Sequence, residues 1–260
     1  MIKRRIFIAS AAVFGITAHS QVADMNDAIN KAGRQRMLSQ RMSKAYLALV
    51  QQVEPGTAQQ VLDRSVALFD RQLVELKAFA PNPAIRETYT RLEASWSEFK
   101  GTLVGTLPSK DQVPKVIQLD TTLLALANQG TQQYEQASGK SVGKLVNIAG
   151  RQRMLSQRMA KFYLANAMQV DPRGSTAEIA KARSEFLAAL ETLRSAPEVT
   201  SKIKEELALA DAQWIFFDQG LQRLDGARSS PKMMSDVFVS SENLLSVMDR
   251  ITGLYTNIKA

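Results

Sequence analysis

The side chains best suited to chemistry lie in an eleven-residue segment, AGRQRMLSQRM, that occurs twice in this chain. The segment spans residues 32–42 and again 149–159, so equivalent residues stand 117 positions apart. Its arginines carry a planar, permanently charged guanidinium whose donors suit small oxyanions. The chain contains no Cys, and its one His is His19. These residue types favour anion binding and disfavour general-base catalysis or a transition-metal site.

A helical wheel gives the repeated segment two faces. One face is a continuous apolar stripe around Leu38 and Met42, as expected for the core of a helical bundle. The opposite face follows the spacing of four and three residues by which one helix lies along another. We call this face the seam. It carries Ile29, Gly33, Arg36, Gln40, Ser43 and Leu47 in the first copy and Val146, Gly150, Arg153, Gln157, Ala160 and Leu164 in the second.

The arginine at the centre of each seam is the candidate ligand. A buried guanidinium is costly unless its charge is compensated, and neither seam carries an Asp or Glu. If the two seams face each other in parallel, the two arginines meet, and a bound anion supplies the missing charge. The glycines one turn earlier permit close approach of the helices, and the glutamines one turn later offer amide donors. The predicted anion site is therefore Arg36, Arg153, Gly33, Gly150, Gln40 and Gln157.

A planar monoanion with equivalent oxygens suits such a clamp, because each guanidinium can bond two oxygens in one plane. Nitrate is also weakly hydrated compared with sulfate or phosphate, so its dehydration costs less. The residues alone leave nitrate, nitrite and bicarbonate open.

The repeat extends over the chain, since Phe69 matches Phe186 and, at a slightly larger offset, Tyr134 matches Tyr255. Proline and glycine divide each copy into four helical stretches. We expect an all-α protein of two tandem up-down-up-down four-helix bundles, packed as a pseudo-dimer. The alternative is a homodimer in which like copies pair. The expected helices are 25–52, 57–80, 84–106 and 114–137, then 141–170, 175–195, 198–224 and 232–257.

The first twenty residues have the pattern of a secretory signal peptide. Lys3, Arg4 and Arg5 precede a short apolar run, and small residues stand at the expected cleavage positions before Gln21. An uncleaved N-terminal anchor is the alternative. We expect a periplasmic protein with a signal at 1–20, a first domain at 21–138 and a second at 139–260.

The remaining composition narrows the function classes. The formal net charge of +8 falls by three if Lys3, Arg4 and Arg5 leave with the signal, and this mild positive excess does not indicate a nucleic-acid partner, although it helps to attract small anions. The chain has no glycine-rich phosphate loop and no carboxylate cluster at metal-ligand spacing, so we expect neither an enzyme nor a bound metal or cofactor.

The segment INKAGRQRMLSQRM at 29–42 resembles the P-box helix in the periplasmic domain of NarX-type nitrate/nitrite sensor kinases, and also the PilJ-type N-terminal domain of type IV pilus chemoreceptors. It returns as NIAGRQRMLSQRM at 147–159. The resemblance implies a dimerising helical bundle that binds one nitrate through the arginine corresponding to Arg36 and Arg153. It gives Arg41 and Arg158 a structural role. Lys31 departs from Ile148, so the two halves need not contribute equally.

Two functions follow as hypotheses. The first is a sensor or accessory module that binds nitrate or nitrite and acts with a membrane sensor kinase, chemoreceptor or transporter. The alternative is a helical interaction module for a kinase, chemoreceptor or pilus component that binds no small ligand.

Overall fold

The structure is a computed structural model that describes residues 21–224 and 229–258, and these residues form an all-helical protein without strands. The predicted fold class is therefore confirmed, whereas the predicted signal peptide at 1–20 lies outside the described residues. None of the described helices is both long and apolar enough to cross a membrane. The helices are α1 Met25–Val50, α2 Pro55–Phe79, α3 Pro83–Val104, α4 Val113–Ser138, α5 Ser141–Ala167, α6 Pro172–Ser195, α7 Ser201–Gln222 and α8 Pro231–Thr256, with a 3₁₀ turn at Lys110–Gln112.

The turn after the first helix of each unit is also repeated. Gln52 and Glu54 follow α1 with φ angles of 56° and 46°, and Gln169 and Asp171 follow α5 with 60° and 44°. A left-handed residue cannot continue an α-helix. Both helices therefore end two or three residues before the predicted ends at 52 and 170.

The two units of four helices have the same internal packing, and their buried hydrophobic residues form one continuous core. In the first unit α1 packs against α2 and α4, and α3 against α4; α5 to α8 repeat this arrangement. Equivalent aromatic pairs stack inside both units, with ring centroids 4.1 Å apart for Phe69 and Trp96 and 4.6 Å apart for Phe186 and Trp214. The repeat in sequence is thus a repeat in packing.

Helices α1 and α5 join the two units along their seams. A Cβ built on Gly33 would lie 3.9 Å from the Cα of Gly150, its equivalent in the other half. Near the other end of the helices, the Gln51 side chain donates to the carbonyl of Leu164 at 3.2 Å. The two helices therefore run parallel in equal register, and every seam residue is buried. The pairing takes place within one chain, as a pseudo-dimer.

Candidate functional site: paired arginines between the two units

The two seam arginines converge where the two helices are closest. Arg36 is 1 % exposed and Arg153 is 0 % exposed. A Cβ built on Gly33 would lie 3.2 Å from Nη2 of Arg36 and 3.6 Å from Nη2 of Arg153. The corresponding distances for Gly150 are 3.8 Å and 3.2 Å. The absence of a side chain at both glycines therefore creates the space into which both guanidinium groups reach.

Each arginine donates to the helix of the other unit. Nη2 of Arg36 donates to the side-chain oxygen of Asn147 at 2.6 Å and to its carbonyl at 3.3 Å. Nη2 of Arg153 donates to the carbonyl of Asn30, the equivalent residue, at 3.1 Å. The Nε–H of each arginine has no acceptor among the described residues. The pair thus holds the units together while keeping donors unused.

Arg153 has an acidic partner that the seam pattern did not reveal. Its Nη1 donates to Asp249 on α8, and the same carboxylate oxygen accepts from Arg34 of α1 at 2.8 Å. The prediction that neither arginine has a compensating carboxylate is therefore wrong for Arg153. The wheel could not find this partner, because Asp249 belongs to a different helix.

Arg36 has no such carboxylate. Its Nη1 donates to the side-chain oxygen of Asn128 on α4 at 3.0 Å, and its other acceptors are the neutral oxygens of Asn147. The 121-residue offset that pairs Tyr134 with Tyr255 also pairs Asn128 with Asp249. Among the described residues no carboxylate bonds directly to Arg36. Asn147 itself donates to Glu135, so this carboxylate is linked to Arg36 only through the Asn147 side chain.

The electrostatic environment follows from this asymmetry. Burial, together with the positive charges of Arg151 and Arg153 and against the opposing charge of Glu135, lowers the pKa of Arg36 to about 9. Burial lowers the pKa of Arg153 to about 10, with Asp249 opposing that shift. The charged form of Arg36 therefore receives less compensation than that of Arg153.

The structure does not bring the seam glutamines to the arginines. The amide nitrogen of Gln40 donates to Asp120 on α4 at 2.6 Å. The amide nitrogen of Gln157 donates to the carbonyl of Ser241 on α8 at 2.9 Å. Both predicted amide donors are thus already engaged in holding the fourth helix of each unit.

Two buried lysines, equivalent in the repeat, were not singled out from the sequence. Lys161 pairs with Asp120, and both side chains are 0 % exposed. Lys44 donates to Glu242 at 2.6 Å, and Arg41 bonds the same carboxylate. Burial lowers the pKa of Lys44 to about 8. Each lysine joins one unit to the fourth helix of the other. The sequence shows that the two lysines repeat at an offset of 117 residues. Their acidic partners could not be predicted, because these belong to no repeated motif.

Comparison with known proteins places the chain in a family. The family described as "Type IV pili methyl-accepting chemotaxis transducer N-term", PilJ, matches residues 18–122 and 134–224. Each matched segment contains one copy of the repeated arginine segment. Searches of curated proteins and of solved structures gave no match. Within residues 21–224 and 229–258 no cluster of acidic or His side chains could hold a metal ion. Because the family match includes both copies of the repeated segment, the chain belongs to the PilJ family of chemotaxis-transducer N-terminal domains, a family of sensory helical modules.

Proposed function

We propose that this protein is a periplasmic sensor or accessory module that binds one small inorganic anion, nitrate or nitrite, between Arg36 and Arg153. One observation carries the proposal: two fully buried guanidinium groups from equivalent helices meet at a pair of glycines, and one of them has no carboxylate partner among the described residues.

The energetic argument rests on Arg36. Burying a cation away from water costs several kcal/mol, and a buried ion pair offsets this cost only when its geometry and hydrogen bonds are good. Neutral oxygens of Asn128 and Asn147 satisfy hydrogen bonds but cancel no charge. An anion would supply both the charge and acceptors for the free Nε–H groups. A buried arginine without a bonded carboxylate therefore favours anion binding as the reason that this side chain is kept in the seam.

Nitrate and nitrite fit the donors better than larger oxyanions. Both are small and planar, so one ion can accept from two guanidinium planes at once. Sulfate and phosphate are tetrahedral and more strongly hydrated, and the contact at Gly33 and Gly150 leaves little room for them. The resemblance of both seam helices to the nitrate-sensing P-box supports the same choice.

The hydrogen bonds also suggest how binding is communicated. Arg36 and Arg153 now bond Asn147 and Asn30, each on the opposite helix. An anion that takes these donors exchanges contacts between α1 and α5 for contacts to the ligand. Such an exchange gives the ligand a different affinity for different placements of the two helices, which is the requirement for a conformational signal. A membrane chemoreceptor, kinase or transporter would receive it.

Calorimetric titration tests this function. The purified protein is expected to bind nitrate or nitrite with one ion per chain at constant ionic strength. Arg36→Lys and Arg153→Lys keep the charge but lose the two-pronged donor geometry, so each is expected to weaken binding by at least about tenfold, or 1.4 kcal/mol.

Arg91→Lys is the matched control, because Arg91 is exposed on α3, away from the seams, and it should bind as the native protein does. Equal binding by all three variants would remove the arginine pair from the site. Absence of heat and of any thermal shift with either anion would leave the interaction-module alternative.

A further inference from the structure

The two halves treat their equivalent arginines differently. In the second half the carboxylate of Asp249 bridges two cations, Arg153 of its own unit and Arg34 of the other unit. Asp249 is 44 % exposed at its side chain, so this bridge forms at the mouth of the seam. A planar carboxylate here occupies the position between one seam arginine and one flanking arginine.

The pseudo-symmetry predicts where the corresponding position lies in the first half. The repeat maps Arg153 onto Arg36 and Arg34 onto Arg151, and it maps Asp249 onto Asn128. Asn128 keeps the hydrogen bond to Arg36 at 3.0 Å, but as an amide it brings no negative charge. In the first half Arg36 therefore has no bonded carboxylate, whereas Arg151 pairs with Glu185 of α6 instead.

A cavity of about 270 Å³ opens at this place, between α4, α5 and α6. Asn128 and Arg151 both line it, so it connects solvent with the amide that holds buried Arg36. Its rim carries two ion pairs, from Arg151 to Glu185 and from Arg158 to Glu178, each at 2.7 Å. Lys181 is a further cation on the wall. Including Arg36 behind Asn128, positive charge exceeds negative charge here.

We infer that the ligand enters by this cavity and is held at its wall by Arg151 and the Asn128 amide before it reaches Arg36, which lies on the other side of that amide. The ligand is a small planar oxyanion with the shape of a carboxylate group: nitrate, nitrite or formate. The inference rests on the proposed function and makes it asymmetric. In the second half Asp249 compensates the charge of Arg153, and in the first half the ligand compensates the charge of Arg36.

Exchanging the two residues tests the inference. Asn128→Asp gives Arg36 a carboxylate of its own and repels an anion in the cavity, so nitrate and formate affinity should fall at least about tenfold while the unliganded protein unfolds at a higher temperature. Asp249→Asn leaves Arg153 and Arg34 without their shared carboxylate, so a second ion should replace its charge and the stoichiometry should rise from one ion per chain to two. Asn243→Asp is the matched control, because it adds the same charge at an exposed position on α8.

The outcomes separate this inference from the proposed function. Nitrate binding that Arg36→Lys abolishes but Asn128→Asp leaves intact would overturn the position beside Asn128 and keep the arginine pair. Formate binding without nitrate or nitrite binding, abolished by Asn128→Asp, would support the position and reject the proposed ligands. If Asp249→Asn does not fold, the affinity and unfolding temperature of Asn128→Asp decide the matter alone.

Discussion

Replacing Asp120 with asparagine is expected to lower the free energy of unfolding by about 3–5 kcal/mol, the usual cost of leaving one charge of a buried ion pair without its partner. Asp120 pairs with Lys161, and both side chains are 0 % exposed, so water cannot replace the lost carboxylate. Asp120 also accepts from Gln40 of the seam at 2.6 Å. The variant therefore disturbs the contact of α4 with both seam helices.

Urea unfolding of the native protein and of three variants measures this change in the free energy of unfolding. The double variant Asp120→Asn with Lys161→Met should recover most of the loss, because a hydrophobic side chain tolerates the dry interior that a lone ammonium does not. Glu242→Gln is a matched comparison at the equivalent lysine. Its cost should be smaller, since Glu242 is 20 % exposed and Lys44 keeps a bond to Ser241. A loss below about 1 kcal/mol for Asp120→Asn would mean that this pair does not join the units.

Replacing Arg36 with methionine is expected to remove anion binding without lowering the stability of the unliganded protein. Replacing a buried ion pair by apolar side chains of similar volume is often neutral or stabilising by about 1–4 kcal/mol, and we expect the same direction for a buried cation that has no bonded carboxylate. The lost donors to Asn128 and Asn147 offset part of that gain. With nitrate at a hundred times its dissociation constant, the native protein gains about 2.7 kcal/mol that the variant cannot gain.

Arg153→Met is the matched comparison for this prediction. It separates Arg153 from Asp249, which keeps only Arg34 as a partner, so we expect a loss of about 1–2 kcal/mol. Thermal unfolding with and without nitrate measures both variants. A severe loss of stability in Arg36→Met without ligand would show that Arg36 has a structural role, and the central argument for a binding site would be lost.

The heptad spacing of the repeated segment was enough to predict the seam. It put Gly33 and Arg36 on one face of α1 and Gly150 and Arg153 on the equivalent face of α5, and in the structure these two faces meet. The prediction succeeded because one helix carries all of these residues, so a single period determines their common face. The fold class was accessible for the same reason, through periodicity and the proline breaks.

The partners of the arginines could not be predicted in this way. Asp249 and Asn128 lie on the fourth helix of each unit, whose register relative to the first helix depends on loops of unequal length. The repeat offset grows from 117 to 121 across those loops. Neither residue belongs to a motif, and their equivalence gains meaning only once α4 and α8 are seen beside the seam.

The duplication allows the two halves to differ in the partners of their equivalent arginines. In a symmetric dimer both seam arginines would have the same partners, so both sides would need a ligand to supply negative charge. Here Asp249 brings a carboxylate to Arg153 within the chain, whereas Asn128 brings a neutral amide to Arg36, where we propose that a ligand supplies the charge. A fused pair can diverge in this way because its two copies are encoded separately, whereas identical subunits cannot.

A crystal structure of the protein grown with nitrate tests the central claim most directly. We expect one planar ion in contact with the guanidinium of Arg36, accompanied by rearrangement of its present bond to Asn147. Density restricted to exposed lysines, with Arg36 and Arg153 still bonded to Asn147 and Asn30 at saturating nitrate, would contradict the assignment of this buried pair as an anion receptor.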